Sequence, residues 1–176
     1  MGVSDLYSLP YLGMKDGFHK YYFKAENQFF THFENSLIKE GEFEIELEVD
    51  KRGYISDFLF NISGKAKVIC DRCLADIRIP VSGNFTLHGK ISNTDEGDAE
   101  VIYIKPDQSH IDLSQYIYEM ICLSLPLLNV YGCEIENPRV CDDGVLSKLS
   151  VEVDLPKENI MSGNIWNSLK GQIPEN

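Results

Sequence analysis

From Gly41 the chain alternates. Glu42, Glu44, Glu46 and Glu48 interleave with Phe43, Ile45, Leu47 and Val49. A period of two over that length predicts a half-buried β-strand, one face carboxylate and the other apolar. Asp50 to Gly53 reads as a turn. Tyr54 to Ile62 reads as the next strand, with Tyr54, Phe58 and Phe60 on one face and a break at Gly64. Lys65 to Cys70 predicts another strand, setting Ala66, Val68 and Cys70 against Lys65, Lys67 and Ile69. Ile77 to Leu87 follows, interrupted near Pro80 or Gly83, because proline cannot donate to a ladder and glycine has no side chain to pack. Val101 to Ile104 is a short apolar strand ended by Pro106. Upstream, His19 to Ala25 is aromatic-rich and strand-like. Phe29, Phe30 and Phe33, between Glu26 and Glu34, predict a short helix or turn laid on the core. Met1 to Gly17 is polar and turn-rich.

At Asp112 the period changes. Gln115 stands three residues on, which is the spacing of a capping box. Leu113, Tyr116, Met120 and Leu123 make an apolar stripe, with Ile117 and Ile121 beside it, and Pro126 ends the helix near Leu125. From Asn129 the chain is irregular. Ser150 to Asn176 is polar, with one short helix around Trp166 and Leu169. Consecutive strands followed by one good helix predict an α+β fold. Its main element is a mostly antiparallel β-sheet, barrel-like if the edges meet, with a helix near 112–125 and an irregular C-terminal segment. The 176 residues are read as one domain, 1–149, and a polar tail, 150–176.

Charge changes the picture of partners. Lys and Arg number 16 and Asp and Glu 28, a formal net charge of −12. So acidic a chain is poorly suited to grip nucleic acid by bulk charge and better suited to a basic protein. The glutamate row is first of all a solvated face, one that a basic protein partner can also use. Yet residues 51–90 carry Lys51, Arg52, Lys65, Lys67, Arg72, Arg78 and Lys90 against only Asp57, Asp71 and Asp76. That stretch is either ordinary mixed surface or a locally basic sheet that touches RNA phosphates. No run approaches the roughly 18 apolar residues of a membrane span. The N-terminus shows no signal-peptide pattern. The expectation is a cytoplasmic protein with no membrane partner.

The cysteines are Cys70, Cys73, Cys122, Cys133 and Cys141. An odd count without an export signal argues against a disulfide framework and for metal binding or packing. Cys70-Asp71-Arg72-Cys73 is a CxxC at a strand end, where a tight turn aims two thiolates at one zinc ion. Cys133 and Cys141 are the candidate second pair. A four-cysteine zinc would clasp the irregular C-terminal segment onto the sheet. The alternative is that Cys70 packs in the core and Cys73 caps a turn. A thioredoxin-like site fits worse, because a strand-like IRIPVSG follows where a helix should start. Cys122 lies on the helix as packing. Asp112 and Glu119 share a helix face, but a cap and a surface glutamate account for them. No nucleotide loop, nucleophile–base pair or small-molecule substrate site is visible, and no enzyme is expected.

Residues 64–74, with Cys70, Arg72, Cys73 and Leu74 in a C-x-R-C-L motif, resemble the YceD family of bacterial large ribosomal RNA subunit accumulation proteins. The likeness continues through Asp112-Leu113, Glu119 and Leu123-Ser-Leu-Pro126, and covers roughly residues 19–145. An Asp-Pro-Arg often found near the end of such proteins has no counterpart before Trp166. The resemblance implies a YceD-like domain with a role in the synthesis, processing or accumulation of 23S ribosomal RNA, hence in large-subunit assembly. Its partners would be the large-subunit RNA precursor, met by the basic stretch, or a basic ribosomal protein, met by the glutamates. An acidic chaperone-like module that holds such a protein without touching RNA is the alternative.

Overall fold

The computed structural model describes residues 6–94, 97–98, 100–130, 132 and 140–149. The chain divides into two units, Met1–Asp142 and Asp143–Asn176. The first is built on a five-stranded sheet of β2 (Gly17–Ala25), β3 (Glu40–Arg52), β4 (Ile55–Ile69), β5 (Asp76–Ile91) and β6 (Val101–Ile104), paired in that order. β2 to β5 run antiparallel, and β6 joins β5 in parallel over His88–Ile91. The fold is α+β, as expected, but the sheet stays open and forms no barrel.

Alternation along β3 decides which way the sheet faces. Phe43, Ile45, Leu47 and Val49 are buried, together with Phe58, Phe60, Ile62 and Ala66 of β4 and Ile77, Ile79, Val81 and Leu87 of β5. The carboxylates of β3 lie on the opposite face, because successive side chains point to opposite sides of a strand.

Two predicted breaks are absent. β4 runs through Gly64, and β5 runs through Pro80 and Gly83. Gly64 lies opposite Phe43, where an added Cβ would stand 2.6 Å from Phe43 Cδ1 and collide with the Glu42 carbonyl. Glycine here makes room for a ring instead of ending a strand. At Gly83 an added Cβ would strike the Ser124 hydroxyl, so the end of the helix described below rests on bare strand. Among the described residues no further strand pairs with β5 at Pro80. His88 sends its N–H to Glu100 O on the β6 side, 2.8 Å. Alternation points the Pro80 nitrogen the same way, so its missing N–H costs no ladder bond.

The N-terminal segment corrects another expectation. β1 (Ser8–Pro10) pairs antiparallel with β7 (His110–Asp112), and Tyr7, Leu9, Tyr11 and Met14 are buried. The period of two in Tyr7, Leu9 and Tyr11 was the available signal. α1 (Asn27–Phe30) buries Phe29 and Phe30, and Phe33 stacks on Tyr118 at 3.9 Å between ring centroids.

α2 (Ser114–Leu123) packs against β5 and buries Ile117, Met120 and Ile121, with Leu113 buried just before it. The stripe is therefore 113, 117, 120 and 121, while Leu123 is exposed. No capping box forms. Asp112 Oδ1 accepts from Ser114 N (2.9 Å) and Ser114 Oγ (2.6 Å), and Gln115 turns forward to Glu119 Oε1 (2.6 Å). Tyr54 is an exposed turn residue and not a partner of Phe58. In the second unit, α3 (Asp143–Leu149) carries Asp143 in its first turn and Lys148 in its last, both favourable to the helix dipole.

Gly64→Ala is expected to lower unfolding stability by about 2–3 kcal/mol, since the added methyl meets backbone as well as the Phe43 ring. Urea denaturation measures the loss, and an unchanged midpoint would contradict the close approach.

Candidate functional site: the clasped cysteine turn

β4 and β5 are joined by Cys70–Ala75. Cys70 N donates to Ala75 O (2.9 Å), closing the hairpin, and Leu74 N donates to Cys70 O (2.9 Å). Leu74 adopts φ 59°, a left-handed conformation costly for a residue with a γ-branched side chain. Its side chain is 64% exposed. Cys70 and Cys73 are buried free thiols.

The segment after α2 is tied to this turn by a reciprocal pair of hydrogen bonds. Asp71 N donates to Asn129 O (3.0 Å), and Asn129 N donates to Asp71 Oδ2 (2.7 Å). The second bond is charge-assisted, which makes it the stronger kind. The C-x-R-C-L block and the L-S-L-P block, far apart in sequence, thus form one corner. Ile69, Leu74, Leu127, Leu128 and Val130 are all exposed around it, Leu127 completely. From the sequence, a clasp here was one of two alternatives, and it was to be made by metal. The sequence reading missed Asp71 and Asn129, whose pairing leaves no local pattern.

The thiols can be placed only in part. Cys141 is buried and disulfide-bonded. Cys133 lies outside the described residues. No group of three or more His, Cys, Asp or Glu among the described residues is arranged to hold a metal. A disulfide sulfur is not a zinc ligand, so Cys141 would have to be reduced before joining Cys70 and Cys73. Cys122 is half-buried, and burial pushes its thiol pKa up.

Of the cations proposed for RNA contact, Lys65, Lys67 and Arg78 come together on one face, Lys67 opposite Arg78 across β4 and β5, while Lys51 and Arg52 stand at the other end of β3. Lys51 is buried. Its Nζ donates to Tyr11 O (3.1 Å) and Met14 O (2.8 Å) and lies 4.3 Å from the Tyr11 ring centre. It holds the N-terminal segment and shows no charge at the surface. Arg52 pairs with Asp50 and, at 3.6 Å, with Asp57. Lys67 bridges Glu40 (2.9 Å) and Asp76 (3.2 Å), contacts that raise its pKa, the Glu40 bond most. Arg72 is half-buried in the cysteine turn, and Lys65 and Arg78 are exposed.

The glutamate row lies on the same outer face as Lys65, Lys67 and Arg78, not on a separate one. Register explains why. Glu40 faces Lys67, Glu42 faces Lys65, and on the other side Glu44 faces Lys24 and Glu48 faces Lys20. Lys20 reaches Glu48 (2.6 Å) and Glu46 (3.1 Å), and these contacts, Glu48 first, hold its ammonium well above the usual lysine range. Between the charged ends, Tyr22, Asn61, Ser63, Ser82 and Asn84 help line an open concavity of ≈ 650 Å³.

The remaining motif residues have local duties. Leu113 is fully buried, Pro126 is exposed, and Asp112 and Glu119 accept the bonds described above. Each carboxylate of the Asp112 and Glu119 pair is thus engaged by its own neighbour.

The chain matches the family model described as large ribosomal RNA subunit accumulation protein YceD over residues 58–170. It belongs to that family. Both halves of the clasped corner fall inside the match, while β2 and β3 precede it. No curated protein and no solved structure matches the chain. No helix among the described residues is long and apolar enough to cross a membrane.

Asp71→Ala is expected to cost about 1–2 kcal/mol, because it strips the acceptor from the Asn129 N–H. Amide exchange at Asn129 should speed up before that of β4, and equal protection in both proteins would refute the clasp. Lys51→Met is expected to cost about 1–3 kcal/mol by removing the charged donor that the carbonyls of Tyr11 and Met14 share. Thermal unfolding unchanged by that substitution would mean the ammonium does not hold the segment.

Proposed function

We propose that the chain is a non-catalytic, cytoplasmic factor that supports 23S ribosomal RNA accumulation by docking on a basic protein of the large-subunit precursor. The observation that carries this reading is the corner itself. The two motif blocks of the family meet there and expose Leu74, Leu127 and Leu128 on a chain of net charge −12. Exposed leucines gathered at one place suit a protein contact, and the net negative charge of the chain favours a basic one. The cations of 51–90 support an RNA grip poorly, since Lys51 is buried and Arg52 and Lys67 are ion-paired. A second reading keeps a limited RNA contact, because Lys65 and Arg78 are exposed and make no ion pair among the described residues.

Gradient sedimentation separates the two. Leu127→Glu with Leu128→Glu is expected to weaken co-migration with large-subunit precursors at least about tenfold, as loss of an interface anchor does. Lys65→Glu with Arg78→Glu should leave it within about twofold, because the docking reading routes no affinity through phosphate contacts. The reverse pattern would favour RNA. A complex with its protein partner that nuclease destroys would also count against docking on protein.

Zinc belongs to the same proposal as a second layer of the clasp. Reduced Cys70, Cys73, Cys133 and Cys141 would supply the four thiolates of a closed structural site. Protein purified under reducing conditions should then contain zinc. Chelation should lower its melting temperature as much as Cys70→Ser does. If chelator has no effect while Cys70→Ser still destabilises, the cysteines only pack.

A further inference from the structure

Among the described residues no strand pairs with the outer edge of β2. Its nine residues pair only with β3. The direction of its backbone groups follows from alternation through the sheet. His88 N–H points from β5 toward β6, and Ile91 N–H points from β5 to Tyr54 O at the β4 side. Carried through the uninterrupted registers of β4, β3 and β2, the N–H and C=O groups of Phe18, Lys20, Tyr22 and Lys24 point off the free edge. The Tyr7 hydroxyl agrees, donating to the Lys24 carbonyl at 2.6 Å. The other long edge, along β5, carries Pro80, whose nitrogen blocks pairing there. The β2 edge has no proline, and it exposes Phe18 at 81% and Tyr22 at 72%. An open, aromatic edge of this length is a template for another strand.

We propose that β2 pairs antiparallel with β2 of a second copy, making one sheet continuous across a two-fold axis at Tyr21. The sequence Gly17–Ala25 is complementary to itself in that register. On the outer face Phe18 meets Lys24 of the other copy, and Lys20 meets Tyr22, so each cation opposes an aromatic ring. On the inner face His19 meets Phe23, and Tyr21 meets Tyr21. Phe18, Lys20, Tyr22 and Lys24 have their backbone groups on the shared edge, so Lys20 and Tyr22 exchange N–H···O=C bonds, while at each end the Phe18 N–H shares the Lys24 carbonyl with the Tyr7 hydroxyl. Neighbouring registers are penalised. A shift one way sets Lys20 against Lys20, a shift the other way sets Lys20 against Lys24, and a pairing of odd offset mixes the two faces. The lysines that would discourage random edge pairing therefore select a single pairing. Both copies keep their clasped corners, which lie in the β4–β5 turn and in the segment after α2.

Light scattering of the full chain over a wide range of concentration tests this. The expected mass is twice the 20.0 kDa of one chain. Tyr22→Pro should return it to one chain with an unchanged circular dichroism spectrum, because the lost N–H points away from β3. A wild-type chain that stays monomeric at all concentrations overturns the proposal. So does a dimer that Tyr22→Pro leaves intact. If Tyr22→Pro fails to fold, Tyr21→Cys decides. Under mild oxidation the introduced thiols should join copy to copy, and peptide mapping should find the peptide bearing position 21 linked to itself. Links only through Cys122 or another native cysteine, or a strand of a different protein found on β2, would overturn the assignment.

Discussion

The structure depends on β3. One of its faces buries Phe43, Ile45, Leu47 and Val49 at the centre of the core. The other carries a row of carboxylates that would repel one another if left alone. β2 and β4 relieve that repulsion by placing Lys20, Lys24, Lys65 and Lys67 opposite them. Each exposed pair is worth little, but together they let a long glutamate row exist without prising the sheet apart. The register matters to the charges, since a slip by one residue would turn the lysines toward the apolar face of β3.

That use of charge bears directly on function. Read as separate stretches of sequence, the lysines of 51–90 and the glutamates of 42–48 look like two surfaces for two partners. On the sheet they are one surface, and much of their charge is spent internally. What remains distinctive is the corner where the cysteine turn meets the segment after α2. It is held by Asp71 and Asn129 and rests on buried thiols. It displays leucines that the core does not need. The family match spans both halves of it.

Much of the fold was legible because its cause is local. The period of two in β3, the aromatic run of β2 and the short strand β6 were visible residue by residue. What failed depended on distant partners. Gly64 and Gly83 look like breaks until Phe43 and Ser124 arrive against them. Pro80 is harmless only because, among the described residues, no strand pairs on its side. Lys51 looks like surface charge until Tyr11 and Met14 bring it their carbonyls. Leu123 fits the helix stripe by spacing but falls outside the face that β5 covers. Of the site, Cys70, Cys73 and Leu74 stood out in the sequence, as did the L-S-L-P ending. The bonds that unite them did not, because an Asp and an Asn 58 residues apart leave no periodic trace.

On this reading the clasped corner meets protein. This is tested most directly by a photo-activatable cross-linking residue placed at Leu128 in living cells. The account predicts a covalent adduct with a basic large-subunit protein that survives nuclease treatment. An adduct with ribosomal RNA at that position would contradict it, and so would silence at Leu128 while the same probe at Arg78 captures RNA.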